Sequence, residues 1–490
     1  MTQISRFHPL SQEHNFVPSH ISLVHLMGVC GTGMAGLAGA LKELGYQVRG
    51  SDRSAYPPMS TFLHELGIPI LMGFKAQNLA PRPDLVVIGN VVSRDNPEVQ
   101  RLARLKIPFV SFPQALNHFV MQETKRIVIA GTHGKTTTSS LMAWLLQTAG
   151  LGPGFMIGGI PNNFMKGFQL GKGHYFVIEG DEYDTAFFDK GPKFFHYHPD
   201  TLILTSIEYD HADIYNSLEQ IVANFQKLVG LVPPKGYIIA NADDQIVSNV
   251  IRSAKCTVIT YGACADADWR LEQVETRKGL SLAKIRSPQG TQLSISISLY
   301  GKHNLANLTA TVALGAIMGL SEASILKAAE TFRGVKRRQE LLGEARGILV
   351  LDDFAHHPTA VRETISAVKE AFPQRRLVAV FEPRSNSSRR NVFQEQYARS
   401  FDAADLIMIP EPRMLENISP DQRFSSMRLV QDLKRQGKPA YCVPDSEALL
   451  PLLLQKTRSR DVVLFMSNGD MDGLPGRFLE SLQPRPADST

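Results

Sequence analysis

The segment IVIAGTHGKTTT, residues 127–138, runs an apolar strand into a glycine-rich turn and then a Lys-Thr pair that can open a helix. Glycines let the backbone wrap closely around a phosphate, and a helix N-terminus adds N–H donors and a positive partial charge. In this reading Gly131, Thr132, His133 and Gly134 make the cradle. Lys135 can neutralise a moving phosphate, the Thr136 hydroxyl can hold Mg²⁺, and Thr137 continues the first helical turn. The turn is shorter than a GxxxxGK[ST] loop, because Ile129 stands where that pattern has its first glycine. A strand-to-helix turn that merely contains Gly-Lys-Thr is the bland alternative. Strand, glycines, lysine and hydroxyl in the right order favour nucleotide binding.

Two acidic segments follow at strand ends. FVIEGDEYD brings Glu179 to the end of an apolar strand, and TLILTSIEYDHADIY puts Glu208, Asp210, His211 and Asp213 just past another. Carboxylates and an imidazole at strand ends can bind a hard cation between a nucleotide and a second substrate. Taken singly, each reads equally well as a solvated loop; the phosphate loop on the preceding strand tips the balance.

A second glycine-rich loop precedes all of these. HLMGVCGTGMAGLAGAL places Gly28, Gly31, Thr32 and Gly33 between a strand and a helix, and Asp52 follows the next strand in GSD. The arrangement approaches the dinucleotide fingerprint without a clean GxGxxG spacing. It points to a phosphate-bearing ligand, with a nicotinamide-dependent oxidoreductase as one rival reading and a tightly packed turn as the bland one.

Later segments carry further polar sets. GKHNLANLTA offers His303, Asn304 and Asn307 for a base or sugar, although Asn304 can equally cap the helix. GVKRRQE supplies Arg337 and Arg338, and DDFAHHPT supplies Asp352, Asp353, His356 and His357 ahead of Pro358, which suits a first helical turn. FEPRSNSSRR offers Arg384, Asn386, Ser387, Arg389 and Arg390, either as a solvated helix start or as a carboxylate site.

The elements that must hold these residues alternate between short apolar strands and amphipathic helices, which predicts α/β layers with mostly parallel sheets. Strands ISLVHLMGV, QVRGSD, DLVVIGN and IPFVSF make a first block. RIVIAG, YFVIE and TLILTSI make a second, extended over 256–300 by alternating residues such as TQLSISISL that predict an added β region. GILVLDD, RLVAVFEP, DLIMIP and DVVLFMSN make a third. The expected division is a flexible leader over 1–20 and three α/β domains over 21–122, 123–335 and 336–490.

Composition agrees with a globular chain of about three domains. Of 490 residues, 43% are hydrophobic and 20% charged, and the formal net charge of +5 suits phosphorylated small molecules without demanding nucleic acid. No dense Lys/Arg block is present. The four cysteines form no CxxC pair, which fits a reducing cytosol. The first twenty residues lack the apolar core of a signal peptide, and no apolar run reaches membrane-spanning length, so the expectation is a cytoplasmic protein without a membrane partner.

Together these segments resemble the Mur ligase family. AGTHGKTTT resembles its ATP loop, FVIEGDEYD and IEYDHADIY its metal-site segments, and GKHNLAN, VKRRQE and LDDFAHHPT its adenosine and second-substrate segments. Order and spacing match from about residue 21 onward. The resemblance implies a Rossmann-like N-terminal domain for a UDP-sugar, a central phosphate-loop ATPase with a mostly parallel sheet plus a small added β region, and a Rossmann-like C-terminal domain for the incoming amine. It implies ATP as co-substrate, Mg²⁺, and an acyl-phosphate route to an amide. In that scheme Lys135, Glu179 and His211 are catalytic, and Thr136, Glu179 and His211 hold the metal. His303, Asn304, Asn307, Arg338 and Asp353 join the loop residues around ATP. Gly28, Gly31, Thr32, Gly33 and Asp52 line the UDP-sugar site, and His357, Arg384, Asn386 and Ser387 meet the peptide. Some relatives carry a carbamoylated lysine after the metal-site His; Phe225 stands at the aligned position, so none is assigned. GVCGTGMAGLA and the HHP motif are similar to members that add L-alanine to UDP-N-acetylmuramate. YPPMST, GNVVSRDNP, DEYDTAFFDK and EYDHADIY resemble instead the members that join a recycled muramyl tripeptide, L-alanyl-γ-D-glutamyl-meso-diaminopimelate. The rivals outside the family are the oxidoreductase and a non-catalytic nucleotide switch.

Overall fold

The strand Leu23–Met27 has its backbone paired on both sides, with Gln47–Asp52 and Leu85–Ile88, and Ile70–Met72 and Phe109–Ser111 complete a five-stranded sheet in which every pairing is parallel. Covered faces explain why strands such as Leu85–Ile88 are apolar at every position and wholly buried. The computed structural model describes residues 10–55, 59–277 and 279–483. Its chain divides into two compact units: Met1–Ile207, Ile221–Thr260 and Leu314–Ser324 form one, and Glu208–Gln220, Tyr261–Ala313 and Ile325–Thr490 the other.

The first unit holds that sheet and a second one, in which the strands run in the order Tyr237–Asn241, Thr201–Leu204, Lys125–Ala130, Tyr175–Gly180, Gly154–Met156 and Phe168–Gln169. All neighbours are parallel except the last pair. The strand leading into the phosphate loop is therefore central, with the Glu179 strand directly beside it. Helix Lys135–Thr148 is buried along most of its length, Thr and Ser residues included, which a surface helix could not tolerate.

The expectation of a flexible leader fails for the described part of it. Leu10 is buried in the first domain's core, Gln12–His14 forms a short helix, and Asn15 donates to the Phe109 carbonyl at 3.1 Å and to Gln114 at 3.3 Å. Residues 1–9 of the leader, and residues 56–58 of YPPMST, lie outside the described residues.

In the second unit, strands Trp269–Arg277, Leu280–Arg286 and Gln292–Ile297 pair antiparallel, as the alternation over 256–300 predicts. The C-terminal domain carries six strands in the order Glu340–Ala345, Ile348–Asp353, Asp461–Met466, Arg376–Phe381, Leu406–Pro410 and Ala440–Val443, all parallel but for the first pair. Leu351, Ala379, Ile407 and Leu464 build the core on one face of this sheet, and Val350, Val378, Met408 and Phe465 on the other. Three α/β domains thus follow one another, with the added β region in place. No helix among the described residues is long and apolar enough to cross a membrane.

Candidate functional site

The phosphate loop departs from the C-terminal end of strand Lys125–Ala130. Gly131 has φ +138°, and a Cβ there would stand 2.1 Å from the Thr205 hydroxyl oxygen and 2.8 Å from the Ser206 carbonyl oxygen, so no side chain fits. The loop is tied to the neighbouring strand end: Thr132 N–H donates to the Ser206 carbonyl at 2.7 Å, His133 N–H to the Ser206 hydroxyl at 3.1 Å, and the Thr205 hydroxyl to the His133 carbonyl at 2.5 Å. Gly134, at φ +84°, precedes helix Lys135–Thr148 and leaves that helix's first N–H groups without a side-chain cap. Such an uncapped start suits phosphate oxygens.

Lys135 and Thr136 open the helix and face carboxylates of the adjacent segment. The Lys135 ammonium donates to Glu182 at 2.9 Å and to the Gly131 carbonyl at 2.6 Å. Burial works against its charge, but Glu182, Asp181 and Glu179 outweigh burial and raise its pKa above the usual lysine value. The Thr136 hydroxyl donates to Glu179 at 3.1 Å, and the other Glu179 oxygen accepts the Gly158 N–H at 2.7 Å. Thr136 and Glu179, both expected to hold Mg²⁺, are thus brought together, whereas His211 belongs to the second unit. Asp181 and Glu182, also within FVIEGDEYD, carry no expected role, yet both act on Lys135. Their signal was available, since three acids in four residues beyond a phosphate loop need cations.

In the first domain, Gly28 (φ +81°) leaves strand Leu23–Met27, and Gly31 precedes helix Thr32–Glu43. Asp52 accepts the Cys30 N–H at 2.9 Å and so braces this loop from the next strand. Gly33 faces Phe112, whose ring would lie 3.1 Å from an added Cβ. Beneath the loop, Glu98 is fully buried and accepts from Ser51 at 2.7 Å and from Asn78 at 2.5 Å, with His25 at 3.2 Å.

The second unit gathers the remaining candidates. Asp353 is buried and accepts the Gln339 and Ala355 N–H groups, each at 2.7 Å; burial raises its pKa against the pull of Arg338. Burial likewise pushes Asp352 up to about 6, although Arg337 pairs with it at 3.1 Å. Arg338 stacks over the Phe354 ring at 4.6 Å. Asn304 is buried and donates to the Tyr300 carbonyl at 2.8 Å and to Gln339 at 3.2 Å. Asn307, likewise buried, and His303 share its helix.

His357 caps helix Pro358–Ala371 by accepting the Thr359 N–H, and its Nδ1 lies 3.4 Å from Glu208. The Ser387 hydroxyl donates to Asp210 at 2.7 Å, and Asn386 to Asp213 at 2.8 Å. The loop expected to meet peptide therefore also anchors the acidic segment. Burial of Asp210 opposes its charge, but His211, His356, His357 and the Ser387 hydroxyl outweigh it and hold its pKa below the carboxylate range. Arg384 reaches Asp470 at 3.3 Å and remains partly exposed.

A glycine cradle with a half-buried Lys135 and a buried Thr136 opening the next helix, in a chain of three α/β domains, defines a phosphate-loop nucleotide-binding protein. Family models match in succession: the Mur ligase family catalytic domain over residues 23–124, the Mur ligase middle domain over 129–315, and the Mur ligase glutamate ligase domain over 337–469. The chain is 36% identical over 470 residues to the UDP-N-acetylmuramate–L-alanyl-γ-D-glutamyl-meso-2,6-diaminoheptandioate ligase of Escherichia coli K12, covering 94% of this chain and 98% of that one. It is 32% identical over 466 residues to the UDP-N-acetylmuramate–L-alanine ligase of Desulforamulus reducens, with coverage of 94% and 98%. A murein peptide ligase of Psychrobacter arcticus 273-4, known as a crystal structure, is similar with TM-score 0.72 and 32% identity over 95% of this chain and all of that one. The chain belongs to the Mur ligase family and is an ATP-dependent amide-bond ligase. This assignment replaces the oxidoreductase and nucleotide-switch readings.

Proposed function

We propose that this ligase joins L-alanyl-γ-D-glutamyl-meso-diaminopimelate to UDP-N-acetylmuramate, returning a recycled peptide to cell-wall synthesis in the cytoplasm. The observation that carries the reading is 36% identity across nearly the full length of a ligase named for that tripeptide, against 32% for one named for L-alanine. The division of labour follows the three segments: 21–122 for the UDP-sugar, 123–335 for ATP and 336–490 for the peptide.

A carboxylate does not accept an amine directly, because oxide would have to leave. The lactyl carboxylate of the UDP-sugar therefore attacks the γ-phosphorus of ATP, its new O–P bond replacing the bond to ADP. The free amine of the tripeptide then adds to the acyl phosphate, and inorganic phosphate leaves as the amide forms. The protein's part is positioning and charge neutralisation. The loop N–H groups and Lys135 hold the moving phosphate. Thr136 and Glu179 offer paired, buried oxygen ligands, a set that fits Mg²⁺, and His211 of the metal-site segment is assigned with them. A bound Mg²⁺ would supply positive charge against the phosphates. Gly28, Gly31, Thr32, Gly33 and Asp52 are assigned to the UDP-sugar, His303, Asn304, Asn307, Arg338 and Asp353 to the nucleotide, and His357, Arg384, Asn386 and Ser387 to the peptide.

The test is ATP-dependent ligation with UDP-N-acetylmuramate, offering the tripeptide and L-alanine side by side. The tripeptide should give the far higher kcat/KM. Equal or higher kcat/KM with L-alanine makes the chain an alanine-adding ligase of the same family.

A further inference from the structure

A second lysine faces the acidic run that meets Lys135. Lys193 opens the short helix Lys193–His196, and its side chain is only 11% exposed. Its ammonium lies 3.0 Å from the Tyr183 hydroxyl, 4.1 Å from the centroid of that ring and 3.5 Å from Asp181, so its two hydrogen-bond acceptors, one of them long, serve three N–H donors. On another side it lies 5.6 Å from the Phe112 ring centroid. Phe112 is the ring against which Gly33, in the first turn of the helix that follows the first glycine loop, is packed. Lys193 thus touches Asp181, of the acidic run that faces Lys135, and Phe112, the ring packed on Gly33, and so links the surroundings of the two glycine loops within the first unit. Burial lowers its pKa, although Asp181, Glu179 and Glu182 pull the other way. An ammonium in that state gains from a further anion.

We propose that Lys193 is a catalytic residue that binds the lactyl carboxylate of the UDP-sugar and holds it at the γ-phosphate of ATP. The inference rests on the ligase reading above. The reaction brings a carboxylate against a polyphosphate, and a cation at the attacking oxygen offsets that repulsion when the O–P bond forms and ADP leaves with the bonding pair. Lys135 neutralises the phosphate side; Lys193 serves the acceptor side.

The full-length chain tests this by positional isotope exchange. ATP labelled in its β,γ-bridge oxygen is incubated with UDP-N-acetylmuramate and no peptide, which isolates acyl-phosphate formation, and ligation kinetics follow with peptide present. Lys193→Met should slow exchange and kcat by about 10²–10³-fold and raise the KM for UDP-N-acetylmuramate by about tenfold. The KM for peptide should stay within about threefold. Asp181→Asn, which leaves the ammonium in place, should stay within about tenfold of wild type, and Lys193→Met/Asp181→Asn should exchange as slowly as Lys193→Met. If Lys193→Met fails to fold, the double variant, which leaves no unpaired buried charge, is read in its place.

Normal exchange by Lys193→Met overturns the proposal. So does recovery of the rate in the double variant, which would make the lysine a mere partner of Asp181, and so does an Asp181→Asn chain as slow as Lys193→Met. A wild-type chain that neither exchanges nor ligates overturns the ligase reading itself, and the inference falls with it.

Discussion

The two glycine loops of the first unit share a plan and differ in charge. Each leaves the end of a strand with parallel neighbours on both sides, and each opens a long helix, Thr32–Glu43 or Lys135–Thr148. The first helix starts without an acidic or basic residue in its first turn, and a carboxylate, Asp52, braces its loop through the Cys30 N–H. The second starts on Lys135 and Thr136, which face Glu182 and Glu179. Backbone N–H groups at a glycine turn are enough to hold a phosphate. Moving a phosphoryl group also requires a cation and a metal-holding hydroxyl beside it, with carboxylates to keep them in place. The difference fits one loop that binds a nucleotide-sugar and one that works on ATP.

The sharpest way to break the comparison is to remove the charge that separates the loops. Lys135→Ala should lower kcat by on the order of 10³-fold or more, and it should also lower the Tm, because it leaves Glu182 buried without its ammonium partner; turnover near wild type would make the two loops equivalent. Gly131→Ala should come next. It forces a side chain into the Thr205 contact at a φ that disfavours one, and should cost about 3 kcal/mol in stability and weaken ATP binding. Thermal unfolding and ADP titration would read both, and an unchanged Tm would show that the cradle relaxes freely. Asp52→Ala should raise the KM for UDP-N-acetylmuramate by about tenfold and leave the KM for ATP within about twofold. Asp52→Asn keeps an acceptor for Cys30 and should fall between; a larger effect on ATP would undo the assignment of the first loop. The smallest effect is expected from Gly33→Ala, where the Phe112 ring can shift from a 3.1 Å contact. About 1 kcal/mol of stability should be lost, with only a modest rise in the KM for the UDP-sugar, measured by unfolding and initial rates.

A carboxylate's sequence neighbours do not reveal its partner. Glu179 and Glu182 both belong to the same acidic run, yet one meets a hydroxyl and the other an ammonium. Lys193, in DEYDTAFFDKGPKFF, carries no local signal of burial; its contacts with Tyr183, Asp181 and Phe112 come only with the fold. Asn386 and Ser387 were legible as polar groups after a strand, but not their hydrogen bonds to Asp213 and Asp210. Leu10 and Asn15 looked like leader because a short segment without periodicity carries no sign of docking onto Phe109 and Gln114.

What the amino-acid order determined by itself is local. The strand entering the phosphate loop, the glycine turn and the helix after it lie within about two dozen residues, and their cause is equally local: apolar runs, positive φ at Gly131 and Gly134, and helix-competent residues after them. The alternating ribbon and the parallel strands were readable for the same reason. Tertiary structure alone decided which charges meet. The Lys135–Glu182 pair joins residues 47 apart, and the Ser387–Asp210 bond residues 177 apart. Past the end of a strand the chain has no period, so nothing in its order says which way the next carboxylate points. The neighbouring strands and helices set that direction, because in a buried site every charge must find a partner in whatever packs against it.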